Sequence, residues 1–397
     1  MYRMHCLPTL IWYTFLIMSL FSSPTETVRA LWRIDSTGVS LTLYINQKLR
    51  IIHYDYQPFT LFSYDDRHQY DQLLHHVQLL MQRMINTIPT NGNRISTATI
   101  VLGEPWSHTV RRQVTYQRKT PFKLTKTFIS DLIARDQKKM IHELRSLDPV
   151  SVSNLLDPYY HAVSIGGHTI SDPWGRVVND ITIDYSTGFS DVQLVTIATT
   201  ITHEKMKVPM ISIDVDHFQN FLIRFLKKTN LDQSIVIDPT GYTTDLVIIQ
   251  NKSLVQTGTL PTGISSLRYQ MAESLGMYPS ELNSLLSLYV RQLLAPKIVN
   301  HIENIMNKLF MVWEKDFQKF CNSAVVVGDV MNQVVWITET NDPLVQFFMH
   351  TLSQDQAQFP VVFGSVQVTF VSIDSFVNTT LLSDYGNVHD RIILDTL

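Results

Sequence analysis

The pattern I-D-x-T-G occurs twice in this chain, as Ile34-Asp35-Ser36-Thr37-Gly38 and as Ile237-Asp238-Pro239-Thr240-Gly241. Each copy follows an apolar run. Each leads into a second β-type run, LTLYI at residues 41–45 and DLVII at 245–249, and then into a polar turn, Gln47-Lys48 and Asn251-Lys252. Two strand–turn–strand units half a chain apart predict two related lobes. A single D-x-T-G is an ordinary hairpin turn. It is the matched context of the two copies that gives the pair its weight.

The chemistry of such a unit follows from its geometry. An Asp that ends a buried strand presents its carboxylate at the mouth of a cleft. The glycine-containing turn after it exposes backbone N–H groups. Two such hairpins facing one another can clasp a phosphate tail from both sides, and their carboxylates can hold Mg²⁺ through water.

The rest of the chain is consistent with a large α/β body. Residues 41–46 alternate apolar and polar side chains, the period of a half-buried strand. Residues 30–54 read as two strands, and 66–88 as a helix with Leu73, Val77, Leu80, Met81 and Met84 on one face. A short strand at 100–102, a helix at 128–147 with a mixed charged face and a Pro/Tyr/Gly-rich loop at 148–174 follow. Strand and helix are expected at 177–185 and 192–203, a strand at 210–215 and a helix at 218–228. Residues 235–249 read as strand, turn, strand. Helices follow at 267–275 and 279–320, with a break near Pro296. Strands return at 325–327, 334–338 and 360–371. This alternation argues for α/β architecture.

The 397 residues supply material for two or three domains. A net charge of −3, with only short basic pairs such as Lys138-Lys139 and Lys227-Lys228, excludes bulk nucleic-acid binding. Cys6 and Cys321 form neither a zinc spacing nor a disulfide framework. No P-loop, G-x-S-x-G elbow or H-E-x-x-H is present. Residues 4–25 carry no charge, and 10–20 (LIWYTFLIMSL) are strongly apolar. Three readings of that segment stay open: a signal peptide, a short membrane anchor, or a leader upstream of a true start at Met18.

On the paired motifs and the order of elements the chain resembles the actin-like ATPase superfamily, specifically its FtsA/PilM group. The resemblance covers most of the chain from residue 30. It implies a two-lobed actin-like (duplicated ribonuclease-H-like) α/β fold with an inserted α+β subdomain of SHS2 type. The first lobe would begin at 30–97, the insertion would occupy 98–187, and the remainder of the first lobe and the second lobe 188–397. Residues 35–40 resemble the first phosphate loop and 238–245 (DPTGYTTD) the second. The stretch 254–276 resembles the strand–glycine–helix step that follows. The resemblance thus implies contacts to ATP from Asp35, Thr37, Gly38, Ser40, Asp238, Thr240, Gly241, Thr243, Thr244 and Gly263, and to Mg²⁺ from Asp35 and Asp238.

Departures from the family pattern fall inside these loops. Thr37 stands where glycine is favoured, as do Thr240 and Tyr242, and the candidate adenosine segment 334–342 (VVWITETND) has no glycine. Larger side chains there narrow the approach of a phosphate to the backbone. The expectation is a cytoplasmic scaffold peripheral to the inner membrane with weakened or lost ATP binding, acting in cell division or type IV pilus assembly. The resemblance implies membrane-associated division or pilus proteins as partners, and self-association. An active Mg-dependent ATPase and a membrane-anchored envelope protein are the alternatives. The terminal DRIILDTL contains no basic amphipathic stretch.

Overall fold

The computed structural model describes residues 27–45, 49–59, 67–88, 94–147, 154–229, 231–239, 241–250, 253–324, 331–337, 343–354, 369–372 and 388–396. Strands β1 (Val28–Asp35), β2 (Gly38–Ile45) and β3 (Arg50–Pro58), helix α1 (Arg67–Asn86) and strand β4 (Ile95–Leu102) open the chain. Strand β5 (Ser107–Lys123), helix α2 (Lys126–Leu147) and strands β6 (Asn154–Leu155), β7 (Tyr159–Ile165), β8 (His168–Thr169) and β9 (Val177–Ser190) come next. Helix α3 (Val192–Met206), strand β10 (Ile213–His217) and helix α4 (Phe218–Lys228) lead to β11 (Ser234–Asp238), β12 (Thr244–Gln250) and β13 (Ser253–Leu260). Helices α5 (Ile264–Leu275), α6 (Pro279–Val290) and α7 (Pro296–Ala324) follow, then β14 (Gln333–Trp336), α8 (Pro343–Gln354), β15 (Thr369–Ser372) and α9 (Val388–Thr396).

Two of the three sheets repeat one topology. The first runs β10-β4-β1-β2-β3, and the second β15-β14-β11-β12-β13. In each, the three hairpin strands pair antiparallel and the two strands on the other side pair parallel. The third sheet, β5-β9-β7-β8 with β6 on β9, carries α2 on one face through Leu124, Ile129, Leu132, Ile133, Ile181 and Ile183.

Helices cover the outer face of each repeated sheet. On the first, Trp32, Ile34, Leu41 and Leu43 pack against α1 and α3. On the second, Ile235, Ile237, Leu246 and Ile248 pack against α5, α6, α7 and α8. The inner faces, through Leu31 and Tyr44 on one side and Val236, Val247 and Val335 on the other, share a layer containing α4 and the Ile392-Ile393-Leu394 run of α9. Strand β2 is therefore buried on both faces rather than half-buried; its polar alternates Ser40 and Thr42 lie in the layer between lobes. The chain breaks its helices where turn chemistry demands. Gly276 ends α5 at φ 66°, and Pro279 and Glu281, whose carboxylate accepts from Tyr278 N at 3.0 Å, start α6.

Several elements depart from the sequence expectation. The stretch expected as two strands holds three, the 17-residue β5 was not anticipated, β6, β7 and β8 lie inside the stretch expected to be loop, α8 stands where no helix was expected, and α9 forms from the terminal segment. The expected strand at 325–327, most of that at 360–371 and the apolar segment 10–20 lie outside the described residues. Among the described residues no helix is long and apolar enough to cross a membrane.

Candidate functional site between the lobes

Strand periodicity aims the repeated aspartates. On β1, Trp32 and Ile34 face the outer core, so Leu31, Arg33 and Asp35 face the interlobe layer. On β11, Ile235 and Ile237 face outward, so Val236 and Asp238 face inward. Asp35 and Asp238 are both almost fully buried there. The two motif turns also meet. A methyl at Gly241 would lie 2.4 Å from Ser36 Oγ and 2.7 Å from the Ser36 carbonyl oxygen, so only glycine permits this contact.

Helix α9 enters the same space and supplies the partner of Asp238 and a second partner for Arg33, which itself holds Asp35. The His389 imidazole donates from Nε2 to Asp238 Oδ1 at 2.9 Å. Its neighbour Asp390 accepts from Arg33 Nε at 2.9 Å, from Ser40 Oγ at 2.6 Å and from Tyr54 Oη at 3.0 Å. Arg33, wholly buried, also bonds Asp35 through Nη1, and its guanidinium lies 5.5 Å from the Tyr56 ring centre. A chain of alternating charge thus runs Asp35–Arg33–Asp390, with His389–Asp238 beside it.

The protonation states follow from these neighbours. Burial alone would raise the Asp35 carboxyl, but Arg33 and then His389 outweigh it and hold it below the usual carboxylate range. Burial opposes the His389 charge, yet Asp238 prevails and holds its pKa above the ordinary value. Burial likewise opposes the Arg33 charge and is overcome by Asp35 and Asp390. Asp245, opposite Asp238 in the sheet register, has no such cation bonded to it among the described residues. Burial first, then the charges of Glu104 and Asp238, push it well above the usual range.

Most of the motif residues that the sequence singles out are engaged within the protein. Thr37 donates to Asp35 from N at 2.8 Å and from Oγ1 at 2.5 Å. Gly38 lies so close to β3 that a methyl there would meet the Gln57 carbonyl at 2.3 Å. Ser40 holds Asp390. Thr244 donates to the Thr262 carbonyl at 2.7 Å and accepts from Trp313 Nε1 at 3.1 Å. Gly263 precedes α5, whose N-terminal donors are taken by the second loop itself: Ser265 N and Ser266 N reach the Gly241 carbonyl at 2.5 and 3.2 Å, and Gly263 N the Tyr242 carbonyl at 2.8 Å. Those N–H groups are the ones a phosphate would use. Thr243 is half-buried in the same loop, and Thr240 lies outside the described residues.

Among the described residues the space between the two motif loops is taken up by the protein itself, and residues 338–342 of the candidate adenosine segment lie outside them. Both strand-end carboxylates already face a buried protein cation, and the two loops touch. The cavity left between Asp35, Glu104, Gln219, Asp245 and His389 is ≈ 10 Å³, the space of about one water. Among the described residues no three His, Cys, Asp or Glu side chains are grouped to hold a metal. Asp238 Oδ2 is buried with no hydrogen-bond partner among the described residues, as are Gln219 Oε1 in the same cavity and Ser36 Oγ at the loop contact.

Arg33, His389 and Asp390 are the site residues that sequence reasoning missed. Arg33 had a local signal, since a residue two before Asp35 shares its face of the strand. The α9 pair had only its setting, two polar residues just ahead of the apolar Ile392-Ile393-Leu394.

Duplicated sheets of this order, clasping a central helical layer, define the actin-like ATPase fold in its two-lobed form. Among solved structures the chain is similar to PilM of the PilM–PilN type IV pilus biogenesis complex, with 10% identity, a TM-score of 0.54 and coverage of 93% of this chain and 97% of that one. It is also similar to a Bacteroides thetaiotaomicron protein with an actin-like ATPase fold, at 9% identity and a TM-score of 0.43 over 93% and 96% of the two chains. A third is the ethanolamine utilization protein EutJ from Carboxydothermus hydrogenoformans, at 10% identity and a TM-score of 0.42 over 92% and 89%. No protein-family model and no curated protein matches the chain.

Proposed function

We propose that this protein is a PilM-type scaffold, an actin-like body whose interlobe cleft is held shut by its own C-terminal helix. The observation that carries the reading is the pairing of both strand-end aspartates inside the chain, Asp35 with Arg33 and Asp238 with His389. To admit Mg²⁺ and a triphosphate, the cleft would have to give up these buried pairs and separate two loops in contact. The likeness to PilM in a type IV pilus biogenesis complex with PilN supports a pilus-assembly partner, and the scaffold reading puts the protein on the cytoplasmic face of the inner membrane with a membrane-associated partner. The same reading assigns an inserted subdomain between the parts of the first lobe; of the expected span 98–187, residues 98–102 belong to β4 of the first sheet, so the third sheet with α2, residues 107–190, carries it.

Isothermal titration with Mg-ATP tests the state of the cleft. The expected outcome is no heat at millimolar nucleotide and no turnover. Micromolar binding abolished by Asp35→Ala or Asp238→Ala would replace the scaffold by an active Mg-ATPase. Crosslinking in intact cells tests the partner: a membrane protein of a pilus assembly is expected, one of a division assembly would move the chain to the FtsA role, and recovery of soluble enzymes alone would end the scaffold reading.

A further inference from the structure

Helix α7 is 29 residues long and buries one side in the second lobe. Its other side has an unusual charge pattern. Lys297, Lys308, Lys315 and Lys319 are exposed and, at 3.6 residues per turn, fall within an arc of about 40° over about 33 Å. The helix exposes no acidic residue. Glu314 is buried, Glu303 is half-buried and accepts from Tyr289 Oη at 3.1 Å, and the half-buried Asp316 pairs with Lys319 at 2.7 Å, which leaves Lys297, Lys308 and Lys315 as the row's lysines with no ion pair among the described residues. Met311 and Val312, 66% and 57% exposed, flank the lysine row on either side. Near the N-terminal end of the helix Leu288, Val290, Arg291, Leu293 and Ile298 are exposed as well. Half of the large exposed apolar side chains among the described residues fall between Tyr278 and Val312.

A solvated helix on the same molecule looks different. Helix α2 exposes Asp131 and Glu143 among Lys126, Arg135, Lys138 and Lys139, pairs Lys139 with Glu143, and exposes no large apolar side chain over residues 126–143. The α7 face combines one sign of charge with apolar side chains along a long helix in a chain of net charge −3. That combination matches a surface that is negative and has an apolar interior within reach. We infer that the outer face of α7, with the α6–α7 corner, rests on an anionic lipid surface: the lysine ammonium groups sit at headgroup level, and Met311, Val312, Leu293 and Ile298 reach below them. The inference does not depend on the state of the cleft. It gives the protein a membrane contact of its own, apart from residues 10–20 and from any partner.

Co-sedimentation of the full chain with phosphatidylglycerol-containing vesicles, compared with pure phosphatidylcholine vesicles, tests it. Binding is expected to be stronger to the anionic vesicles, and that increment to weaken as salt is raised. The pair Lys308→Glu with Lys315→Glu should weaken it at least about 20-fold, at about fivefold for each lysine even before the sign is reversed. Met311→Gln with Val312→Gln should weaken it several-fold, whereas Lys138→Glu with Lys139→Glu on α2 should leave it unchanged. Circular dichroism of each variant checks that the fold persists. Residues 10–20 would partition into either vesicle, so the increment that depends on lipid charge is the reading. No such increment, or one that survives the α7 reversal, overturns the inference. So does binding of polyglutamate, lost on the same reversal, where the anionic vesicles do not bind, because the face would then be one for acidic proteins.

Discussion

Replacing Arg33 by Met isolates the energetic core of the interlobe layer. The guanidinium lies between two buried carboxylates, bonded to Asp35 and 2.9 Å from Asp390. At an effective dielectric of about 20, an opposite charge at about 4 Å contributes about 4 kcal/mol, so two of them contribute about 8. Burying the arginine itself costs several kcal/mol, which the variant escapes. Asp35 can also take up a proton once its cation is gone, at a cost of about 4 kcal/mol at neutral pH from an ordinary carboxyl pKa. The net expectation is a loss of about 3–5 kcal/mol at pH ~7, the range for removing one partner of a buried pair. Urea unfolding followed by tryptophan fluorescence measures it. The proton-uptake route gives a signature: the deficit should shrink by about 1.4 kcal/mol for each unit of pH lowered. Adding Asp390→Asn to Arg33→Met should restore about half of the loss. A deficit below about 1 kcal/mol, or one independent of pH, would refute the idea that this arginine neutralises both carboxylates.

The neighbouring pair behaves differently with pH. Because the folded pKa of His389 is raised above 6.5, its contribution is complete below about pH 6.5 and is lost as pH rises through the folded value. Thermal melts of His389→Gln should therefore lie furthest below the parent near pH ~6 and converge with it toward pH ~9; a gap that widens on the alkaline side contradicts the assignment. At the loop contact, Gly241→Ala should lower stability by about 1–3 kcal/mol through overpacking, and Ser36→Ala in addition should relieve it only partly, since the Ser36 carbonyl 2.7 Å away remains. Denaturation midpoints of the single and double variants decide this, with full rescue counting against a backbone clash.

The parts of the fold that sequence made legible are those with local signals. The I-D-x-T-G hairpins, the apolar face of α1, α4 with its bounds and the break before Pro296 rest on short-range periodicity or turn chemistry. Strand β5 was missed because it is an edge strand, basic and largely solvated (SHTVRRQVTYQRKTPFK), and such strands carry little hydrophobic alternation. Strand β7 ends at Gly166-Gly167, both at positive φ, a hairpin signal hidden in a stretch that composition marked as loop. The candidate site divides in the same way. Its two aspartates were legible because they repeat. The α9 residues that pair with Asp238 and Arg33 were not, because no pattern in a window of residues records a contact made across the whole chain.

The hydrogen bond between Arg33 and Asp390 joins residues 357 apart in sequence. A closure of that span is entropically expensive, and contacts of high sequence separation form slowly. Each lobe has an outer core that does not involve α9, so the lobes can mature first and the last helix can dock afterwards. Helix α9 has nine residues and no strand partner, too short to persist as a helix by itself in water. Its docking is then a separate equilibrium with a free energy below that of global unfolding. Amide exchange should expose it directly, with the amides of α9 trading their hydrogens for deuterium sooner than those of β1 or β11, and the openness of the interlobe layer at any moment would be the fraction of molecules in which these two and a half turns of chain have come away.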